Sequence, residues 1–281
     1  MTRIAIPGLL LAAFAAGAQE VTFAAKPRAV GATWTQAQDF LLALKLSVTV
    51  GSNAAQVLEQ RAGETTRFRT TVLAVSDTGL TSVKVSYLEA TARALGVDGK
   101  EVSAPKPHSG KTYIVKKEKG ELLVTDENQQ PVPADEAELV KEDHQELGEV
   151  EPHARFFDKR AVRVGERVVV PGEAARELLG IHDEHGQVEL LALTLKEIRP
   201  AAAGSRAVFD MEVNLTQAEA DGPKMTLKPT GEMVIGVENC RPVSTNLTGP
   251  VEVTPHETQG PQVPSMQGTG TVKVNVSVEE E

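Results

Sequence analysis

Phe40-Leu41-Leu42-Ala43-Leu44-Lys45-Leu46-Ser47-Val48-Thr49-Val50 decides the fold class. Its even positions are all apolar, while Lys45, Ser47 and Thr49 are among the odd ones. A repeat of two places alternate side chains on opposite sides of a sheet, so the stretch reads as a long strand with one buried face. The same period recurs along the chain. Thr66 to Val75 and Leu80 to Tyr87 flank Ser76-Asp77-Thr78-Gly79, whose composition closes a hairpin, with Val83, Val85 and Tyr87 on one face. Val188 to Ile198, Arg206 to Thr216 and Glu232 to Val237 follow, and Val272, Val274, Val276 and Val278 alternate strictly with Lys273, Asn275 and Ser277. Helical signals are few. Pro133 to Leu147 opens with proline and has Asp135 and Glu136 in its first turn, and Glu173 to Leu179 ends at Gly180. The expected class is mainly β, a β-rich α+β protein of antiparallel strands with one or two short helices.

Two segments resemble each other. Gly120-Glu121-Leu122-Leu123-Val124-Thr125-Asp126-Glu127-Asn128-Gln129-Gln130-Pro131-Val132 aligns without a gap on Gly231 to Val243, with six of 13 pairs identical. The Gly79 hairpin has a counterpart turning at Gly204, and the polar run Val97 to Gly110 supplies the extra residues the first copy needs. Arg61-Ala62-Gly63-Glu64 likewise resembles Arg163-Val164-Gly165-Glu166. These matches predict two duplicated β units, half-barrel or sandwich-like. The competing reading is that Gly-Glu turns simply recur in β proteins. The expected organisation is a leader at 1–18, a first repeat at 19–132, a helix and solvated linker at 133–157, and a second repeat at 158–281. Gly249 to Gly270, rich in glycine and proline, reads as a mobile loop before the last strand.

Composition narrows the function. The 281 residues carry 29 Lys plus Arg against 39 Asp plus Glu, a formal charge of -10, so a nucleic-acid partner is not expected. One cysteine, Cys240, allows no internal disulfide and at most one thiolate ligand. Residues 1–18 combine Arg3, an apolar run from Ile4 to Ala15 and the small residues Ala16-Gly17-Ala18, which reads as a secretory signal peptide cleaved near Ala18. The run is too short to span a bilayer, and an uncleaved anchor is the alternative. No cysteine lies near the cleavage site for lipid attachment. The expectation is a periplasmic or secreted protein that is neither membrane-spanning nor a lipoprotein. The glycosylation patterns at Asn214, Asn246 and Asn275 fall in strand-like runs and are read as chance.

The leader, the two β-rich halves, the Lys159-to-Glu166 run that opens the second half and the repeated Gly-Glu pair resemble a family of uncharacterised exported bacterial proteins known only as a domain of unknown function. The pattern departs after Val164-Gly165, where Arg167-Val168 stand in place of an aromatic; Val30-Gly31 does have Trp34 soon after. The resemblance implies no catalytic residue. A more distant likeness, of architecture alone, is to half-barrel periplasmic lipoprotein carriers.

Candidate chemistry is thin. Asp77-Thr78-Gly79 is the tripeptide of aspartic proteases, but the matching turn reads Ala202-Ala203-Gly204, so a second carboxylate would have to come from another copy. His182-Asp183-Glu184-His185 offers His182 and His185 as weak metal ligands, with no second segment to complete a site. Ser103-Ala104-Pro105-Lys106 lacks the companion motifs of penicillin-recognising enzymes. Cys240, inside a strand pattern, reads as a small buried hydrophobe. Trp34 is the one candidate for stacking on a ligand, against a plain core role, and scarcity of aromatics weakens a sugar-binding reading. The expected protein is no enzyme and holds no cofactor. It binds a lipid, another apolar ligand or an envelope protein through the uncovered faces of its strands. The alternative is a structural interaction module with no ligand cavity, and an aspartic-type hydrolase stands behind both.

Overall fold

In the computed structural model, the structure describes residues 19–49, 54–95, 100–181, 186–202, 204–218, 222–255 and 265–281. The leader and the His182–His185 cluster lie outside them. The strands are β1 (Glu20–Thr22), β2 (Thr33–Thr49), β3 (Gln56–Ser76), β4 (Gly79–Leu95), β5 (Glu101–Pro105), β6 (Thr112–Glu118), β7 (Glu121–Asp126), β8 (Ala161–Arg163), β9 (Arg167–Val169), β10 (Gly186–Ala201), β11 (Gly204–Ala218), β12 (Lys224–Leu227), β13 (Thr230–Gly236), β14 (Pro242–Thr254) and β15 (Ser265–Glu280). The helices are α1 (Ala134–Glu142), α2 (Pro152–Phe157) and α3 (Gly172–Leu178). Several strands run 15 to 21 residues, well beyond the usual five or six.

Thirteen strands form one sheet in the order β7-β6-β4-β3-β2-β15-β14-β12-β11-β10-β9, with β5 extending the row of β6 beside β4 and β13 extending the row of β12 beside β11. Every pairing is antiparallel. β1 and β8 form a separate small pair. The first and second halves of the chain are thus joined edge to edge through β2 and β15, which pair over their whole length from Trp34–Glu280 to Thr49–Ser265.

Register carries the alternation of β2 across the sheet. Phe40 stands opposite Val274, Leu42 opposite Val272 and Leu44 opposite Gly270. Val274 faces Leu247, which leads through Gly231 and Met211 to Leu193. In the other direction Gln36 faces Phe68, then Tyr87, while Val85 faces Tyr113. One face is therefore apolar over much of the sheet, interrupted by Gln36 and Gln38 of β2 and by Gln60, Glu64, Thr66 and Thr70 of β3. The opposite face carries ion pairs such as Arg167–Glu212 at 2.8 Å, Lys196–Asp210 at 3.3 Å and Arg93–Asp39.

Among the described residues, helices cover the apolar face only towards its two ends. At one end Val140 of α1 and Leu147 beyond it pack with Phe68, Val83, Val85, Tyr87, Tyr113 and Val115. At the other end Phe157 of α2 and Ala175 of α3 join Val21, Phe23, Val162, Leu191, Leu193, Leu195, Phe209 and Met211. A third cluster between them, Leu227, Val251 and Val272 with Leu42, Leu44, Leu215, Met225 and Val274 against it, is built from strands alone.

Some local expectations change. The helix foreseen from Pro133 to Leu147 stops at Glu142 and continues as turns, and the solvated linker contains α2, whose Phe157 is fully buried. Gly249 to Thr254 belong to β14 and Ser265 to Gly270 to β15, so the foreseen loop narrows from both sides, and 256–264 lie outside the described residues. Pro250 fits within β14 because its carbonyl accepts from Lys228 N at 3.1 Å, so its nitrogen points to the same side, where β12 and β13 are interrupted and no ladder bond is lost. In the polar run Val97 to Gly110, residues 101–105 form β5. Cys240 lies in the turn after β13 with φ +56, where Asn239 Oδ1 accepts from Arg241 N, and it is fully buried.

The aligned segments share local shape but not surroundings. β7 and β13 each end in a turn with a left-handed non-glycine residue at matching positions, Gln129 (φ 61) and Cys240 (φ 56). Each returns through the matching proline, Pro131 bridging Thr125 and Pro242 pairing Ile235. The glycines differ. Gly120, at φ +91, reverses the chain between β6 and β7, whereas Gly231 continues β13 opposite Leu247. The hairpins at Gly79 and Gly204 do correspond, each closing through two residues after Ser76 or Ala201.

Candidate functional site

Between the helical covers lies a strip of partly open apolar surface on the sheet. On the apolar face of β2, Phe40 is 37% exposed, Leu42, Leu44 and Val48 are half-buried, and Leu46 is buried. Val274, Val276, Val278 and Met266 of β15 stand opposite or beside them, half-buried. Gly268 and Gly270 deepen the strip, because a Cβ on them would lie 2.8 Å and 2.6 Å from the Leu46 and Leu44 Cδ2 atoms, which lean over the glycine backbone. From Phe40 to Val48 the strip runs eight residues, or about 27 Å at roughly 3.4 Å per residue. That exceeds the roughly 15 Å of one leaflet of a bilayer's hydrocarbon core.

Beyond Leu46 the sheet projects past its covers. Gln56 to Ala62 of β3 and all of β5 are exposed, and Leu58 and Val102, at 43% and 55% exposure, extend the apolar face outward. At that end of β2 a cleft of about 400 Å³ is lined by Lys45, Ser47, Val57 and Glu252, which alternate to the polar face, as well as by Leu46 and Val253.

The opposite end of the strip is closed by a buried ion cluster. Trp34 starts the row on β2, is 9% exposed, and has the Arg28 guanidinium over its ring at 3.8 Å. Arg28 Nε donates to Glu151 Oε1 at 3.1 Å and its Nη1 lies 3.5 Å from Glu280 Oε1. Arg241 reaches the same Glu280 oxygen at 2.7 Å and the Lys26 carbonyl at 2.8 Å. Burial, with Arg241 adjoining, lowers the Arg28 pKa, and Glu151 and Glu280 offset this only in part. Four parts of the chain meet here. Trp34, weighed as a ligand contact against a core role, is buried under a guanidinium.

Asp77 sits exposed at the tip of the β3–β4 hairpin, beside a cleft of about 150 Å³ lined by Arg28, Val75, Leu80, Glu149, Val150 and Glu151. The carboxylates nearby in that lining are glutamates of the 149–151 segment. Gly79, at φ +143, lets that segment approach, since a Cβ there would lie 2.1 Å from the Glu149 carbonyl oxygen. His182 and His185 lie outside the described residues, and among those described no group of three metal-ligating side chains converges. The Cys240 thiol is pushed up to about 11, chiefly by burial.

A polar cluster under α1 went unnoticed in the sequence. Tyr113 Oη donates to Glu136 Oε2 at 2.7 Å, Lys111 Nζ lies 2.6 Å from Glu136 Oε1, and Tyr87 Oη donates to Asp143 Oδ2 at 2.7 Å. His108 meets the Tyr87 ring edge-on at 4.4 Å and His144 meets Phe68 at 6.1 Å. Bonding by Lys111 and Tyr113 holds Glu136 below the usual carboxylate range, and burial lowers both histidines, His144 to about 4.

No family profile matches the chain, and no curated protein matches it in sequence. Several solved structures are similar at low level. A lipovitellin structure concerned with lipid–protein interactions matches at 8% identity and TM-score 0.39, covering 89% of this chain and 25% of that one, so the chain spans about a quarter of its length. DynF from the dynemicin biosynthesis pathway of Micromonospora chersina matches at 9% identity and TM-score 0.17, covering 93% of this chain and 86% of that one. An outer membrane channel from Pseudomonas putida F1 matches at 9% identity and TM-score 0.19, covering 90% and 97%. None of these scores reaches the level of a shared fold. Among the described residues no helix is long and apolar enough to cross a membrane.

Proposed function

We propose that the protein is a non-catalytic exported β protein that binds an apolar ligand, a lipid acyl chain being the best fit, along the strip between its helical covers. The observation that carries this is the largely apolar face, followed by register across the sheet, whose middle strands β2 and β15 remain half-buried between two helix-covered cores. Burying apolar surface is the main driving force for binding such a ligand, and Phe40, Leu42, Leu44 and Val274 offer it, with Gln60 and Glu64 of β3 beside them on the same face and Glu64 paired with Lys106. The leader supports export. Closure at Arg28 and Trp34 sends the ligand in from the Leu58–Val102 end.

The test is native mass spectrometry of residues 19–281 purified gently, followed by reloading with a fluorescent fatty acid. A bound species of a few hundred daltons and saturable probe uptake are expected. Leu44→Lys, which places a charge on the strip, is expected to reduce probe affinity at least tenfold while the fold persists. A clean mass together with probe binding unaffected by Leu44→Lys would refute the reading. A second reading, an interaction module docking a protein, is favoured by one observation, the exposure of Gln56 to Ala62 and β5 on both faces. It predicts that Val57→Asp and Val102→Asp abolish partner capture and that the unaltered protein takes up no fatty-acid probe.

A further inference from the structure

The chain's only two tyrosines and two of its six histidines meet under one short helix. α1 and the turns after it are held to the sheet by little apolar surface, since Val140 and Leu147 are their only fully covered aliphatic side chains among the described residues. The remaining hold is polar: Tyr113 and Lys111 on Glu136, Tyr87 on Asp143, and Gly148 N on the Leu80 carbonyl at 2.6 Å.

The two histidines sit in this joint with buried ring nitrogens that meet no partner, Nδ1 of His108 and Nε2 of His144. A neutral ring tolerates that at one nitrogen. A protonated ring does not, because both nitrogens become donors and a charged N–H would be left unbonded in an apolar setting. The charges facing His144 reduce to Asp143 on its own turn; Phe68 faces it from β3. His108 faces Asp143 and Glu136 of the cover, Glu64 of β3 and Lys106 of its own turn, with Tyr87 of β4 against its ring. Three of these four charges favour protonation, yet burial outweighs them.

We propose that residues 133–148 form an acid-released cover, which leaves the apolar face when His108 and His144 gain protons while the sheet beneath stays folded. The sign follows from linkage. The docked state disfavours the proton, so the released state binds more protons below the ordinary histidine range, and docking weakens progressively as pH falls from 6.5 towards 4. Glu136, held below its usual range, keeps its charge over the upper part of that window. Glu146 on the turns after α1, raised to about 7 chiefly by burial, takes up its proton while docked and opposes release, so release requires the two histidines to outweigh it. Release exposes Val83, Val85, Tyr113 and Val115 on the same face as the strip; that this would discharge or admit a ligand rests on the reading above, whereas release itself does not.

The test uses the unliganded full chain, so its failure is separable from that of the binding reading. Both tyrosines report on the cover, and Trp34, the only tryptophan, reports on the Arg28 end. Between pH 7 and 4 the tyrosine near-ultraviolet circular dichroism is expected to collapse, and amide exchange of 134–148 to accelerate at least tenfold. Trp34 emission and the far-ultraviolet strand signal are expected to hold. His144→Phe, which keeps an edge-on ring against Phe68, is expected to lower the midpoint by at least half a pH unit, and His108→Gln to lower it further. Loss of the tyrosine and Trp34 signals together, a tyrosine signal unchanged to pH 4, or the same midpoint in the variants overturns the proposal. If His144→Phe does not fold, His144→Gln and exchange in the unaltered protein decide in the same way.

Discussion

Removing the Arg28 side chain tests the closed end of the strip. Only 6% of that side chain is exposed, and its guanidinium lies 3.8 Å from the Trp34 ring centre. Arg28→Ala loses a desolvated cation–π contact of about 1–2 kcal/mol. It also loses the packing of the buried stem, roughly another 1–2 kcal/mol. Glu151 and Glu280 lose a partner, but at 36% and 43% exposure they rehydrate, and Glu280 keeps Arg241, so little is added. The expected loss is about 2–4 kcal/mol, which at roughly 2–4 °C per kcal/mol lowers Tm by about 4–16 °C. The single tryptophan supplies a second reading, since its emission should shift to the red once the cation no longer covers it. Arg28→Met, which keeps the stem, should recover about half the loss without restoring the emission. A cycle with Trp34→Phe should give a coupling energy of about 1 kcal/mol. A loss under about 0.5 kcal/mol, within the range of ordinary surface substitutions, with unchanged emission would refute the argument that this cluster closes the sheet end.

Gly79→Ala should cost at least about 2 kcal/mol, because its positive φ and the Glu149 carbonyl act together; a thermal melt checks it, and a wild-type Tm would show that the 149–151 segment yields freely. Asp77→Asn, at an exposed tip, should change stability by less than about 0.5 kcal/mol, and no peptidase activity should be lost with it. Proteolysis that vanishes in this variant would revive a shared-aspartate mechanism. The Cys240 thiol, buried and pushed up to about 11, should alkylate at pH 8 more than tenfold slower in the folded than in the denatured chain, followed by intact mass; equal rates would show that its turn opens.

Strands were readable where one face meets water and the other does not. Phe40 to Val48 alternates because β2 is half-buried, and its paired neighbour β15 alternates for the same reason. The Ser76–Gly79 hairpin was readable because its turn chemistry is local. The alignment of Gly120 with Gly231 was readable as sequence but uninformative about placement, since one glycine turns the chain and the other continues a strand, and only the neighbouring strands determine which. β5 and Pro250 were missed because their strand pairing depends on where a neighbour is interrupted, which no local propensity records.

The candidate site shows the same division. Alternation alone dictated an amphipathic sheet and hence an apolar face requiring cover, since period two has one physical cause. Which part of that face the helices cover was decided by tertiary structure, through Phe157 and Val140 packing at opposite ends and leaving the strands between them without a helix. The same holds for Arg28 over Trp34 and for the tyrosine–histidine cluster. Those groups come from segments separated by up to 252 residues, as between Arg28 and Glu280, and their meeting is set by the order of strands in the sheet. Sequence fixes the chemistry each residue brings; long-range pairing fixes which residues share one patch of low dielectric, and there their charges and hydrogen bonds acquire their weight.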